Sequence, residues 1–139
     1  MSEAIDRIAA RAPGQQIELV GYSGGGAVAV LVAARRHDIA SLRTVAGNLD
    51  TEMVNRLHNV SAMPQSLNPV DAAHQVAEIP QIHFSGDGDA VVPIDVPRHF
   101  VNQSRTHCAQ VITVAGMNHT GAWATRWPDL LQVHPVCSK

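Results

Sequence analysis

Three side chains in this sequence have the types and the order that nucleophilic acyl chemistry needs. Ser23 lies in Gly21-Tyr22-Ser23-Gly24-Gly25, Asp89 in Gly86-Asp87-Gly88-Asp89-Ala90-Val91-Val92-Pro93, and His119 in Gly116-Met117-Asn118-His119. A serine hydroxyl is a weak nucleophile at neutral pH and needs a base within hydrogen-bond reach. Imidazole suits that task because its unperturbed pKa lies near neutrality. A buried carboxylate then fixes its tautomer and stabilises the imidazolium formed during attack. Taken singly, an aspartate in a glycine-punctuated turn is a turn residue, and a lone histidine is structural. Their joint placement carries the weight.

That placement follows from the elements around them. Ile17 to Tyr22 reads as an apolar strand, and a helix begins at Gly24 and runs to about Arg36. Gly-x-Ser-x-Gly between the two puts Ser23 on a sharp strand-to-helix turn, its hydroxyl forced out at the end of a sheet. Gly21 and Gly25 are expected where side chains would collide with the neighbouring strand and helix. Further strands are expected at Leu42 to Ala46, Pro80 to Ser85 and Gln110 to Ala115. Helical spacing covers Ala4 to Ala12, stopped by Pro13-Gly14, and Val96 to Ser104. Asp50 is placed to cap a helix running to about Asn59. Met63-Pro64 and Asn68-Pro69 mark a loop, Asp71 to Ala77 a short helix, and Gly121 to Val133 a helix interrupted at Pro128.

Strands and helices in alternation predict the α/β class: a parallel sheet of about four strands, flanked by helices on both faces. In such sheets the chemistry collects beyond the carboxyl ends of the strands. Ser23 follows the first expected strand, Asp87 and Asp89 the third, and His119 the fourth. Each candidate group passes that test.

Composition sets the outer bounds. At 139 residues the chain has room for one domain, and a formal charge of −2 gives no electrostatic case for nucleic acid. No apolar run approaches a membrane span, and Met1 to Pro13 does not resemble a signal peptide. Cys108 and Cys137 match no metal spacing. Two readings of them stay open: reduced, buried thiols, or a disulfide that ties down the C-terminal tail and implies an oxidising, extracytoplasmic setting. Localisation is otherwise not indicated. The eight histidines include no metal-binding pair at helical spacing, so His83 and His99 read as structural and no metal or organic cofactor is expected.

Together the three motifs resemble the C-terminal part of an α/β-hydrolase, and the resemblance covers nearly the whole chain. Gly21 to Gly25 is similar to that family's nucleophile elbow, Gly86 to Pro93 to its Gly-x-x-Asp-x-x-Val-Pro turn, and Asn118-His119 to its histidine loop. The resemblance implies a Ser23, His119, Asp89 triad with the Gly24 amide in an oxyanion hole. Motif register favours Asp89 over Asp87 as the acid. Asp50 ranks third, because some lipases of this fold place the acid after the preceding strand. The resemblance also implies that four strands normally precede the elbow strand, whereas only about sixteen residues do so here. The loop that supplies a second oxyanion amide is expected to be missing with them. A truncated sheet would leave Ile17 to Tyr22 as an edge strand, open to a second copy, a swapped element or a partner segment. A piece of a longer product is favoured over a naturally minimal enzyme.

The expected activity is hydrolysis of carboxylic esters, with a small-molecule acyl ester as substrate. Ser61 to Glu78 leaves little room for a large lid, which favours small or soluble esters. A hydrolase-like module or fragment without catalysis is the alternative. A phosphate-binding domain fits less well: Gly24-Gly25-Gly26 opens a helix, but the Lys-Ser/Thr ending of a phosphate loop is absent.

Overall fold

A computed structural model describes residues 1–139. The elements run α1 (Ser2–Ala9), β1 (Ile17–Tyr22), α2 (Gly24–Ala33), β2 (Ile39–Val45), α3 (Thr51–Leu57), a 3-10 helix (Pro69–Val76), β3 (Gln81–Gly86), α4 (Asp95–Ser104), β4 (Ala109–Val114) and α5 (Trp123–Leu131). All four strands are parallel, in the spatial order β1-β2-β3-β4. The expected strands and helices are all present. One differs in kind: the helix anticipated at Asp71 is a 3-10 helix that starts on Pro69, whose fixed φ and missing N–H suit a first turn. Pro128 does not interrupt α5. It sits inside a short helix, where it removes a single intrahelical bond, and the helix continues to Leu131.

Sequential strand order with crossovers of one hand places every connecting helix on the same face. That face holds the larger core. Val30 and Ala33 of α2, Val54 of α3, Val76 of the 3-10 helix and Phe100 of α4 pack with Ile39 and Leu42 of β2. On the opposite face the terminal helix is the one covering helix. Trp123 and Leu130 of α5 close over Val45, Ile82, Phe84 and Val114. Both faces of β3 are therefore buried along its whole length.

β1 is an edge strand. Along a strand, successive residues aim their N–H and C=O groups to opposite sides. Ser23 N donates to Val45 O of β2, so Glu18, Val20 and Tyr22 present their backbone groups to the unpaired side. Val20 is 51% exposed, unusual for an apolar strand residue of an all-parallel sheet. Alongside, α1 buries none of its residues and is held by Arg36, which reaches Asp6 and the carbonyl of Ser2.

Two buried polar groups brace the layers. His83 packs edge-on against Phe100, with Nδ1 2.9 Å from Thr44 Oγ1 and Nε2 3.0 Å from Gln81 Oε1. Gln81 donates its amide to the carbonyl of Val76, so its oxygen is left to accept from Nε2–H while Nδ1 accepts from the threonine hydroxyl. Burial among uncharged partners pushes the His83 pKa down to about 3. Asp50 caps α3 by accepting from the Met53 amide, and its carboxylate also meets Asn68 and His99. Burial works to raise its pKa, but hydrogen bonds from Asn68, the Met53 amide and His99 outweigh it and leave the value lowered.

Cys108 and Cys137 form a disulfide, which selects between the two sequence readings and fastens the chain beyond α5 to the start of β4. Protein purified without reductant should take up no alkylating agent in intact-mass measurement. Reduction should lower stability to unfolding by about 3 kcal/mol, the usual scale for closing a loop of this size. Full alkylation without prior reduction would contradict the pairing.

A second prediction concerns pH. An unfolded His83 takes up a proton near 6.5 and the folded one only near 3, so between these values the unfolded state binds more protons. Unfolding free energy should be level above pH 6.5 and fall below it, by up to about 1.4 kcal/mol per pH unit. Asp50 adds to the loss as the pH falls from the ordinary carboxylate range toward its own lowered value. Urea titrations across pH 4 to 7 should show the slope reduced in His83→Gln; an unchanged slope would assign it elsewhere.

Candidate active site

The turn between β1 and α2 is tightly constrained. Ser23 has φ 51° and ψ −121°, a left-handed φ that a side chain rarely adopts and that is held only by firm surroundings. Those surroundings are explicit: Ser23 N donates to Val45 O, and Ser23 O accepts from the amides of Gly26 and Asn48. A Cβ on Gly21 would lie 2.2 Å from the carbonyl oxygen of Gly25, so glycine is obligatory there. Gly25 itself departs from expectation. A Cβ at that position meets nothing within 4 Å, because the space beside it is the open side of β1. The second close approach falls instead at Gly26, whose Cβ would come within 2.9 Å of Gly47 Cα. Gly24 opens α2 and is exposed, and the amides of a helix's first turn have no acceptor within the helix.

Beyond β3 the chain turns through Asp87 to Asp89. Asp89 Oδ1 accepts from the amides of Val91 (2.9 Å) and Val92 (2.8 Å), which fixes the carboxylate plane and leaves Oδ2 free to face outward. That oxygen lies 3.0 Å from His119 Nδ1. His119 Nε2 lies 2.9 Å from Ser23 Oγ. The Asp89 side chain has no exposed surface and that of His119 is 13% exposed. An ionised carboxylate only accepts, so the imidazole proton sits on Nδ1 and the Nε2 lone pair faces the serine hydroxyl. The three candidate side chains thus form one hydrogen-bonded chain across the carboxyl end of the sheet.

The rival acids are occupied elsewhere. Asp87 is exposed and accepts from the Gly116 amide, bracing the histidine loop against the acid loop. The two loops also meet where Gly88 N donates to Met117 O, and a Cβ on Gly86 would strike that same carbonyl at 2.3 Å. Asp50 is committed to the α3 cap and to His99. Two residues at the site carried no signal in the sequence. Tyr22 OH donates to the His119 carbonyl at 2.7 Å, and Trp123 Nε1 lies 3.1 Å from the carbonyls of both Asn118 and His119. No motif marks a hydrogen bond to a main-chain oxygen ninety-seven residues away.

No protein-family model matches the chain, and no curated protein sequence does. Solved structures do. The Pyrococcus furiosus esterase superposes with a TM-score of 0.76 at 10% identity, over 92% of this chain and 57% of the esterase. Est1E from Butyrivibrio proteoclasticus gives 0.73 at 17% identity, over 94% of this chain and 65% of its own. An α/β serine hydrolase homologue from Coxiella burnetii gives 0.68 at 20% identity, over 94% and 53%. Likeness at such low identity establishes the fold. The chain spans a little over half the length of these proteins.

The steric asymmetry of the turn gives a direct prediction. Gly21→Ala should destabilise by on the order of 3 kcal/mol, since it drives a methyl into main-chain atoms that cannot yield. Gly25→Ala should be neutral or stabilise by about 0.5–1 kcal/mol, as glycine-to-alanine does in an unobstructed helix. Urea denaturation of both variants is the measurement, and equal losses would show that the space beside Gly25 is filled.

Proposed function

We propose that this chain, which has the α/β-hydrolase fold, hydrolyses carboxylic esters through a covalent acyl-serine. The single observation that carries the reading is the unbroken sequence of hydrogen bonds from Asp89 Oδ2 through the His119 ring to Ser23 Oγ. In the proposed reaction Ser23 Oγ attacks the ester carbonyl carbon while His119 Nε2 takes the hydroxyl proton. Negative charge passes to the carbonyl oxygen, which the Gly24 amide stabilises; one such donor contributes on the order of 3 kcal/mol. Collapse of the tetrahedral intermediate breaks the bond to the leaving alkoxide, and Nε2 returns the proton to it as alcohol. Water then repeats the steps on the acyl-serine and releases the acid. Asp89 keeps its negative charge throughout, holds the Nδ1–H tautomer and stabilises the imidazolium formed in each half-reaction.

Small, soluble acyl esters are the proposed substrate class. The segment between α3 and the 3-10 helix is short and largely exposed, with little chain from which to build a large cover over the site. The contrasting reading, a hydrolase-like binding module, draws on the span of 53% of the Coxiella burnetii protein and on Gly24 as the one oxyanion donor identified.

The two readings separate cleanly by experiment. The wild-type chain should cleave short-chain nitrophenyl esters and take up a fluorophosphonate probe at Ser23, and Ser23→Ala should do neither. Asp89→Asn should reduce turnover by about a thousandfold or more, because the uncharged amide no longer enforces the productive tautomer. Asp87→Asn should stay within about an order of magnitude of wild type, consistent with a loop brace. Equal turnover in wild type and Ser23→Ala would remove the enzyme reading; near-normal turnover in Asp89→Asn would overturn the choice of acid.

A further inference from the structure

The residue before the candidate nucleophile makes a contact that no motif assigns. β1 and β4 are the two outer strands of the sheet, and three strand spacings of roughly 4.8 Å separate them by about 14 Å. Ser23 follows one outer strand and His119 follows the other. The histidine loop therefore has to reach back across the ends of β3 and β2 and be held there. Its near side is well anchored: Asp87 holds the Gly116 amide, Gly88 N donates to Met117 O, and Asp89 holds His119 Nδ1. All three ties lead to the loop after β3.

Only two hydrogen bonds join this loop to the segment that carries Ser23. One is the contact between Ser23 Oγ and His119 Nε2 at 2.9 Å, and the other is Tyr22 OH to the His119 carbonyl at 2.7 Å. The first is consumed in the chemistry, since the hydroxyl surrenders its proton and becomes part of the acyl-enzyme. It cannot fix the geometry on which it depends. The Tyr22 bond survives every step, because neither the phenol nor the main-chain oxygen takes part in bond making. The His119 carbonyl has no main-chain donor; Trp123 Nε1, at 3.1 Å, is its one other partner. The phenol ring also lies beside the imidazole, with centroids 5.6 Å apart and planes 34° from parallel.

We propose that Tyr22 is a positioning residue for His119. It sets the spacing between base and hydroxyl by tying the base's own carbonyl to the turn that carries the hydroxyl. Because Tyr22 and Ser23 are adjacent and the Ser23 backbone is pinned by Val45, Gly26 and Asn48, the tyrosine tie and the nucleophile move as one body. Motion of the histidine loop is then referenced to Ser23 and not only to the acid loop. Trp123 alone would hold the carbonyl from within the same loop and helix, with no link to β1. The inference rests on the hydrolytic reading above for its consequence in rate, and on the hydrogen bonds alone for its consequence in ring geometry.

Tyr22→Phe removes the hydroxyl and keeps the ring. The variant should melt at the wild-type temperature, show kcat and the rate of fluorophosphonate labelling reduced about tenfold, and keep KM within about twofold, because orientation rather than ester binding is lost. Long-range proton–nitrogen NMR of the His119 ring gives a readout that needs no turnover. Wild type should show the fixed Nδ1–H tautomer, and Tyr22→Phe should shift toward the averaged pattern of a mobile imidazole. Tyr22→Trp, which keeps an aromatic ring beside the imidazole but places no donor at the position of the phenol oxygen, should match Tyr22→Phe in both properties. A reactive wild type whose Tyr22→Phe variant labels at the same rate overturns the proposal, as do ring signals identical in the two proteins. An unreactive wild-type serine would instead sink the hydrolase reading, and the ring signals would still decide whether Tyr22 positions the imidazole.

Discussion

Everything at the carboxyl end of this sheet depends on a chain reversal completed between Gly21 and Gly26. β1 arrives and α2 leaves so closely that a single methyl on Gly21 would overlap the carbonyl of Gly25. The reversal is achieved by placing Ser23 at a positive φ and satisfying its backbone from three directions. A non-glycine residue in that conformation carries a cost of order 1–3 kcal/mol, which a plain turn would relieve by putting glycine there. Here three glycines follow the strained position and none occupies it. The strain is retained where the side chain is a hydroxyl directed at an imidazole.

The sheet order decides what surrounds that turn. Consecutive strands with same-handed crossovers give one thick face, built by α2, α3, the 3-10 helix and α4, and one thin face closed by α5. The thin face cannot extend over β1, so Val20 and Tyr22 stay exposed on a strand whose composition suits an interior position. Arg43 illustrates the transition between the two regions. Its side chain is 2% exposed and pairs with Glu18, which is half-exposed on the edge strand, while its other amino group reaches the carbonyl of Val133 beyond α5. The buried cation joins edge strand, inner strand and terminal segment where apolar packing runs out. A guanidinium suits the place because its planar donors can serve two acceptors at once.

What was legible in the sequence was whatever local pattern fixes. Ile17 to Tyr22 could only be a strand once the glycine-rich turn and the apolar helix behind it were recognised, and its bounds coincide with the observed ones. The three chemical groups were legible because strand ends are marked by short polar, glycine-containing turns. Contacts between distant segments were not. Gly25 reads locally as an obligatory glycine and is not one, because the obstruction depends on what lies beside β1, which no local pattern encodes; Gly26 is crowded only because Gly47, just after β2, lies against it. Pro128 reads as a breaker locally, yet a one-bond loss is tolerated where Trp123 and Leu130 anchor the helix on either side. The cysteine pair was undecidable from spacing alone, since closure depends on α5 folding back over the sheet.

Two aspartate–histidine pairs in this fold show why residue type is insufficient and the third partner matters. Asp50 and His99 meet at 2.9 Å, and Asp89 and His119 at 3.0 Å, in both cases through Nδ1 and with the carboxylate buried. Each aspartate also accepts from backbone amides of its own turn. Up to that point the pairs are chemically alike. They diverge at Nε2. In His99 that nitrogen faces the side-chain amide of Gln103, a donor with no proton to give up at neutral pH, and the ring is 37% exposed to water. In His119 it faces a hydroxyl, in a ring largely withdrawn from solvent, with its main chain held from β1 and from α5. Orientation supplied by a carboxylate is useful only where the opposite nitrogen meets a group that can lose a proton and then form a bond. By that criterion the first pair is a brace for the α3 cap, and only the second sets its ring against a hydroxyl, the contact on which the proposed acyl transfer rests.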